Sequence, residues 1–294
     1  MQKVPPLLLE GVRFDKPERL AYPDAGLRLG DVARYYHAVA PRLLMEAAGR
    51  PLSLLRCPDG IAGECFFQRH PGAGMGDRVH RVPLREKDGD LADYLYIDDV
   101  RGLLQLVRLG AYEFHAWGSP AATPDRPDRL VFDLDPGAGV PWTELVACAR
   151  LIRDRLQAHG LRSFVRLSGG KGVHVVAPFA PGPDWMQAKA FCERIARGLA
   201  REQLQRYVAS AGKRLRTGRI FIDWLRNTRS ATSIANWSLR ARPGAPVAMP
   251  LRWDELGASR SGGDYPMARA LRRASRLRSD PWDGIATLRQ SLPA

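Results

Sequence analysis

Strand-type and helix-type segments alternate along this chain without a regular strand–helix–strand period. That irregularity points to an α+β fold built on a central, mostly antiparallel sheet flanked by helices. Short β-type runs are expected at Leu52–Arg56, Cys65–Arg69, Tyr94–Ile97, Ala111–Trp117, Leu130–Leu134, Ser163–Leu167, Val173–Ala177 and Arg219–Leu225. Helical periodicity covers Arg28–Ala48, where Pro41 is expected to interrupt it, then Asp98–Leu109, Trp142–His159 and about Asp184–Tyr207. The tail looks helical around Met267–Ser279. A single domain spanning 1–294 is expected, made of a smaller N-terminal subdomain (about 1–110), a core (111–260) and a C-terminal helical tail (261–294).

Charge narrows the classes of partner. Of 45 basic residues Lys supplies six, and the formal charge of the 294-residue chain is +14. Such an excess calls for a polyanion, nucleic acid first and an anionic membrane surface second. No apolar run approaches the roughly 18 residues of a spanning helix, and the N-terminus lacks the pattern of a signal peptide. Cys57, Cys65, Cys148 and Cys192 are too sparse and irregular for a disulfide framework or a zinc site, which fits a reducing cytoplasm.

The sharpest local feature is Phe132-Asp133-Leu134-Asp135-Pro136. In a strand, positions i and i+2 share a face, so Asp133 and Asp135 project together and repel unless something neutralises them. A hard divalent cation, Mg²⁺ or Mn²⁺, removes that cost; a solvated strand end before a proline turn is the plainer alternative. Next comes Ser168-Gly169-Gly170-Lys171-Gly172-Val173-His174 between two strands. Its glycines let backbone N–H groups approach an anion, Ser168 adds a hydroxyl, Lys171 a cation and His174 a donor. It is not a Walker A loop, and a glycine-rich hairpin with a surface lysine is the alternative. Asp223 interrupts an apolar strand, where an unpaired charge costs several kcal/mol unless it faces solvent or a cation. With Asp133 and Asp135 it would complete a two-metal phosphoryl-transfer site, and Arg226, Arg229, Arg240 and Arg242 offer counter-charges to a triphosphate. His115, alone in an aromatic strand, reads as a packing residue. Phe66 and Phe67 could stack on a base, although alternation along a strand sends at least one of them into the core.

Taken in order, RCPDG (56–60), FFQRH (66–70), EFHAWGS (113–119), RPDRLVFDLDP (126–136), SGGKGVHVVAP (168–178) and the block from Ile220 to Leu256 resemble the polymerase domain of bacterial ligase D, a member of the archaeo-eukaryotic primase superfamily. The resemblance implies a primase-like catalytic core. It makes Asp133, Asp135 and Asp223 the metal-binding catalytic carboxylates, and Ser168, Gly170, Lys171, His174, Arg240, His115 and Arg56 the nucleotide-binding residues. It assigns Phe66, Phe67, Arg69, Arg19 and Arg28 to DNA. The implied activity is template-directed primer extension and short-gap filling, preferring ribonucleotides, with two Mn²⁺ or Mg²⁺ ions and nucleoside triphosphates. The implied setting is bacterial non-homologous end joining at the nucleoid, with gapped or broken DNA bearing a 5′-phosphate, Ku and a DNA ligase as partners, and no membrane.

The sequence departs from that pattern at Arg28-Leu29-Gly30-Asp31, where relatives carry a lysine at the Leu29 position that helps bind the 5′-phosphate, and at Arg69, which stands for another lysine. The Lys-x-Asp-Gly nucleophile of a DNA ligase is absent; the Met1 start favours a chain that stands alone over part of a longer ligase. The competing readings are a non-catalytic module that binds DNA ends and recruits Ku or a ligase, and a metal-dependent nuclease that would leave the SGGKG loop and the downstream arginines without a task.

Overall fold

The computed structural model describes residues 4–86 and 88–293, and these gather into two compact units. The first holds the chain up to Ala116 together with Ile234–Val247 and Tyr265–Arg278; the second holds Trp117–Ser233, Ala248–Asp264 and the chain from Ser279 onward. The units therefore cut across the three consecutive segments expected from the sequence. Among the described residues the α-helices are α1 (Leu29–Ala47), α2 (Val100–Arg108), α3 (Trp142–Ala158), α4 (Trp185–Glu202) and α5 (Met267–Arg276). None is long and apolar enough to cross a membrane.

In the first unit α1 runs unbroken through Pro41, where an interruption was expected. The lost N–H bond and the ring clash cost roughly 3 kcal/mol. Val32, Tyr35, Tyr36, Val39 and Leu43 are all buried on this helix, and each such side chain returns about 1.5–3 kcal/mol. Packing wins. The strands Ala111–Trp117, Leu52–Arg56 and Phe66–Gln68 pair antiparallel in that order, leaving Phe66–Gln68 as an edge.

Buried tyrosine hydroxyls stitch the returning segment into this unit. Tyr35 Oη donates to the Trp237 carbonyl (2.8 Å), Tyr22 Oη donates to the Arg240 carbonyl (3.0 Å), and the Leu239 N–H donates to Tyr36 Oη (2.9 Å). The Phe114 N–H reaches Ser238 Oγ at 2.9 Å, and the Asn236 N–H reaches the Glu46 carboxylate at 2.6 Å. An unmet polar group at such depth costs about 1–3 kcal/mol, so these bonds fix where Ile234–Val247 lies.

Cys57 and Cys65 are joined by a disulfide, although the sparse and irregular cysteine spacing argued against a disulfide framework. They flank the paired strands Leu52–Arg56 and Phe66–Gln68, whose register sets Arg56 opposite Phe66 and brings the two Cα atoms to 4.3 Å. Cys148 and Cys192 are free and buried.

The second unit is built on a six-stranded sheet in the order Tyr207–Val208, Ile220–Asp223, Arg129–Pro136, Val173–Pro178, Phe164–Leu167, Met249–Leu251. Every neighbouring pair is antiparallel except the first, so the mostly antiparallel α+β architecture expected from the sequence is what forms. Val- and Phe-rich strands buried along most of their length make this sheet a core layer, with α3 packed on its two central strands. From Ser279 the chain rejoins the second unit and lays Trp282 and Ile285 against Val131, Phe164 and Val176, with Trp282 Nε1 donating to the Val165 carbonyl at 3.0 Å.

Candidate active site

Strand register in the second unit builds a row of ionisable side chains. Arg166 pairs with His174, His174 with Asp133, and Asp133 with Asp223, so four neighbouring strands each contribute one member. Side chains directly opposite on one face stand about 5 Å apart at Cβ, which makes these residues immediate neighbours. Asp135, two residues beyond Asp133, adds a third carboxylate to the same face.

Arg166, fully buried, donates from Nε to His174 Nδ1 (3.1 Å) and from Nη2 to Ser233 Oγ (3.0 Å), and its guanidinium lies 5.2 Å from the Trp282 ring centre. Arginine has no acceptor, so His174 Nδ1 must carry the lone pair and the ring proton sits on Nε2. That nitrogen lies 3.4 Å from Asp133 Oδ1. On the other side Arg226 reaches Asp133 Oδ2 at 3.2 Å and Asp223 Oδ2 at 3.5 Å.

These contacts split the carboxylates. Burial raises the pKa of Asp133, but His174 and then Arg226 overcome it and hold the group well below the usual range. Asp135 is pushed up by burial and by the charge of Asp133, against the pull of Lys171. Asp223 is also pushed up by burial, in part offset by Arg226. Burial lowers the pKa of His174, partly countered by Asp133.

By donor chemistry the set suits a hard divalent cation, which would relieve the strain that burial and mutual repulsion place on Asp135 and Asp223. As arranged, Arg226 supplies that charge, and no three His, Cys, Asp or Glu side chains converge as a ready cage among the described residues.

The SGGKG loop uses its amides differently from the phosphate cradle expected. The Gly170 and Gly172 N–H groups donate to Ser168 Oγ (3.2 and 3.1 Å), and the Gly169 N–H donates to the Gly262 carbonyl (2.9 Å). Ser168 thus closes its own loop. Gly172 is required there because a Cβ would stand 2.5 Å from the Leu134 carbonyl, at the end of the carboxylate strand. Lys171 remains exposed beside Asp135.

Asn227 locks the turn that carries Arg226. Its Nδ2 donates to the carbonyls of Val131 and Trp224, and its Oδ1 accepts from the Val131 N–H, all at 2.8 Å. Arg229, expected to face a triphosphate, pairs instead with Asp125 at 2.6 Å.

His115, Arg240 and Arg56 lie in the first unit. Glu113, almost fully buried, accepts on Oε2 from His115 Nε2 (2.8 Å) and Arg240 Nε (2.9 Å), and on Oε1 from the Ala241 N–H (2.9 Å). Burial would raise its pKa, but these partners bring it down to about 2. Arg56 donates to Gln68 Oε1 (2.6 Å) and the Leu109 carbonyl, with its guanidinium 5.4 Å from the Phe66 ring centre.

Phe66 and Phe67 are 40% and 66% exposed, so neither enters the core. Their strand is a three-residue edge, and alternation buries a side chain only where another layer covers that face. Phe67 meets the His115 ring edge-on at 5.7 Å. Arg69 and Arg28 are both exposed. Arg19 keeps Nε and Nη2 buried without a hydrogen-bond partner.

Sequence reasoning missed Arg166, Asn227 and Glu113. The fragment FVRL hints at the first, since an arginine inside an apolar strand needs a partner.

The architecture has a close counterpart. A solved structure described as the polymerase domain from Mycobacterium tuberculosis ligase D in complex with DNA superposes with a TM-score of 0.87 at 30% identity, over 94% of this chain and 98% of that one. The fold is thus that of a ligase D polymerase domain. The family profile "LigD, primase-polymerase domain" matches residues 29–282, and this chain belongs to that family.

The multifunctional non-homologous end joining protein LigD of Pseudomonas aeruginosa is 36% identical over 97% of this chain. The multifunctional non-homologous end joining DNA repair protein LigD of Mycobacterium tuberculosis is 34% identical over 83% of this chain. The bifunctional LigD of Bacillus subtilis is 27% identical over 78% of it. The chain spans about a third of the length of these relatives: 34%, 33% and 37%.

Proposed function

We propose that this chain is a template-directed nucleotidyltransferase that extends primers and fills short gaps, preferring ribonucleotides, during the repair of broken DNA by non-homologous end joining. The observation that carries the reading is the cross-strand row in which Asp133 stands opposite Asp223 with Asp135 beside them, in a chain of this family.

Asp133, Asp135 and Asp223 would hold the divalent ions. Bound there, Mn²⁺ or Mg²⁺ would lower the pKa of the primer 3′-hydroxyl and neutralise charge on the leaving pyrophosphate. The remaining work falls to the chain. Arg166 fixes the His174 tautomer, so that the Nε2 proton holds Asp133 Oδ1 and leaves Oδ2 to Arg226 or to a ligand. Lys171 offers its ammonium to phosphate oxygens beside Asp135. In the first unit Glu113 aligns His115 and Arg240, which the family assigns to sugar and triphosphate, while Phe66 and Phe67, exposed on an edge strand, would stack on a template base.

The buried, unpartnered guanidinium atoms of Arg19 suit a 5′-phosphate and offset the loss of a lysine at Leu29. Ku and a DNA ligase are the partners this role requires.

The test is extension of a 5′-phosphorylated gapped duplex with ribo- or deoxyribonucleotides and Mn²⁺ or Mg²⁺. Incorporation by the wild type, and its loss in Asp133→Ala/Asp135→Ala with duplex binding retained, is the expected pattern. Binding without incorporation by the wild type would instead make the chain a non-catalytic end-binding module.

A further inference from the structure

Between Tyr265 and Arg278 the chain carries five arginines and no acid. Helix α5 turns four of them to one side: Met267 and Ala270 are buried, while Arg269, Arg272, Arg273 and Arg276 recur at i, i+3, i+4 and i+7 along the opposite face. Together with Tyr265 and Leu277 they line a groove of about 420 Å³.

Fold stability does not account for this charge. Basic residues favour the C-terminal end of a helix dipole, yet Arg269 and Arg272 stand in the first two turns, against the positive end. The C-terminal carbonyls are already met from outside the helix, because Arg42 on α1 donates to those of Ala274 (3.1 Å) and Leu277 (3.0 Å). Arg272 and Arg276 form no ion pair among the described residues, and both are exposed. Arg272 and Arg276, at i and i+4 on one face, repel one another unless an anion lies between them.

We propose that the arginine face of α5 and its groove are a docking surface for the phosphodiester backbone of duplex DNA, an inference that rests on the reading of the chain as a DNA-repair polymerase. The geometry favours phosphates over bases. Tyr265, the aromatic side chain of the groove, is engaged by Arg269 and Arg273, whose guanidinium carbons lie 4.2 and 5.7 Å from its ring centre. A ring so occupied is not a stacking platform for an unpaired base; the contact holds two arginines beside the exposed Arg272 and Arg276. Docking is therefore independent of sequence, and two phosphates would fall to Arg272 and Arg276.

The experiment is a salt titration of the affinity for a blunt 20-base-pair duplex, by fluorescence anisotropy, with the wild type, Arg272→Gln/Arg276→Gln and Arg272→Lys/Arg276→Lys. Each lost phosphate contact lowers the slope of log K against log salt by about 0.9, so the glutamine pair should lower it by about 1.8 and the lysine pair should restore it. Extension of a gapped substrate at saturating DNA should be unchanged in both. A glutamine pair with the wild-type slope overturns the docking surface while leaving the polymerase reading intact. A loss of equal size on a 20-nucleotide single strand overturns the choice of duplex as occupant. A wild type that binds no duplex overturns both readings.

Discussion

Replacing Glu113 with Gln tests how far one buried charge holds the first unit together. The side chain keeps its size, and its remaining oxygen can still accept a hydrogen bond. What it loses is the negative charge between His115 and Arg240, and it turns an amide donor toward them. An ordinary glutamate titrates near 4.5 and this one at about 2, a gap worth about 3 kcal/mol for a group so little exposed. Because the folded-state value lies below the unfolded one, the stabilisation is complete above about pH 5. It drains as the pH falls, to roughly 1.4 kcal/mol at pH 3 and almost nothing below pH 2. Urea unfolding followed by circular dichroism should therefore show Glu113→Gln destabilised by about 3 kcal/mol at pH 7, with the penalty more than halved at pH 3. A penalty of equal size at both pH values would refute the argument, because it would trace the loss to packing.

Three further outcomes follow from the geometry. Gly172→Ala should displace the SGGKG loop from the end of the carboxylate strand; a shift of about 1 Å is worth ~10²-fold in extension rate, measured on the gapped substrate at saturating nucleotide. Trp282→Ala should cost about 3–5 kcal/mol in urea unfolding, since the ring fills the cluster of Val131, Phe164, Val176 and Ile285. Titration with a thiol reagent, in the absence of reductant, should find no reactive cysteine in the native chain and two per chain in denaturant. Cys148 and Cys192 are buried, with burial raising both thiols, while Cys57 and Cys65 are tied to each other.

The three carboxylates were legible in the sequence because strand alternation is local: Asp133 and Asp135 announce a shared face, and Asp223 stands out in an apolar run. Their mutual register was not, since Asp223 meets Asp133 across 90 residues. The same distance hid the row from Arg166 to Asp223, which exists only once four strands have paired. The SGGKG loop looked like an anion cradle because glycines expose amides. Gly262, far downstream, takes one of those amides, and Ser168 takes two. Period-two reasoning failed for Phe66 and Phe67 because it presumes a covered face, and an edge strand has none. For Pro41 a local breaker rule met a helix whose burial outweighs it. The disulfide escaped because its eight-residue spacing is uninformative until Leu52–Arg56 and Phe66–Gln68 pair.

The first unit is interrupted by more than a hundred residues before Ile234–Val247 returns to it. During vectorial synthesis at about 5–20 residues per second, its early part waits roughly ten seconds for that segment to emerge. Through that interval the hydroxyls of Tyr22, Tyr35 and Tyr36 and the carboxylates of Glu46 and Glu113 lack the backbone and side-chain partners that the late segment brings. The nascent N-terminal half is therefore an unfinished body that a holdase chaperone would recognise. A fragment ended at residue 116 should behave the same way, aggregating unless residues 234–247 are supplied, in cis by circular permutation or in trans as a peptide.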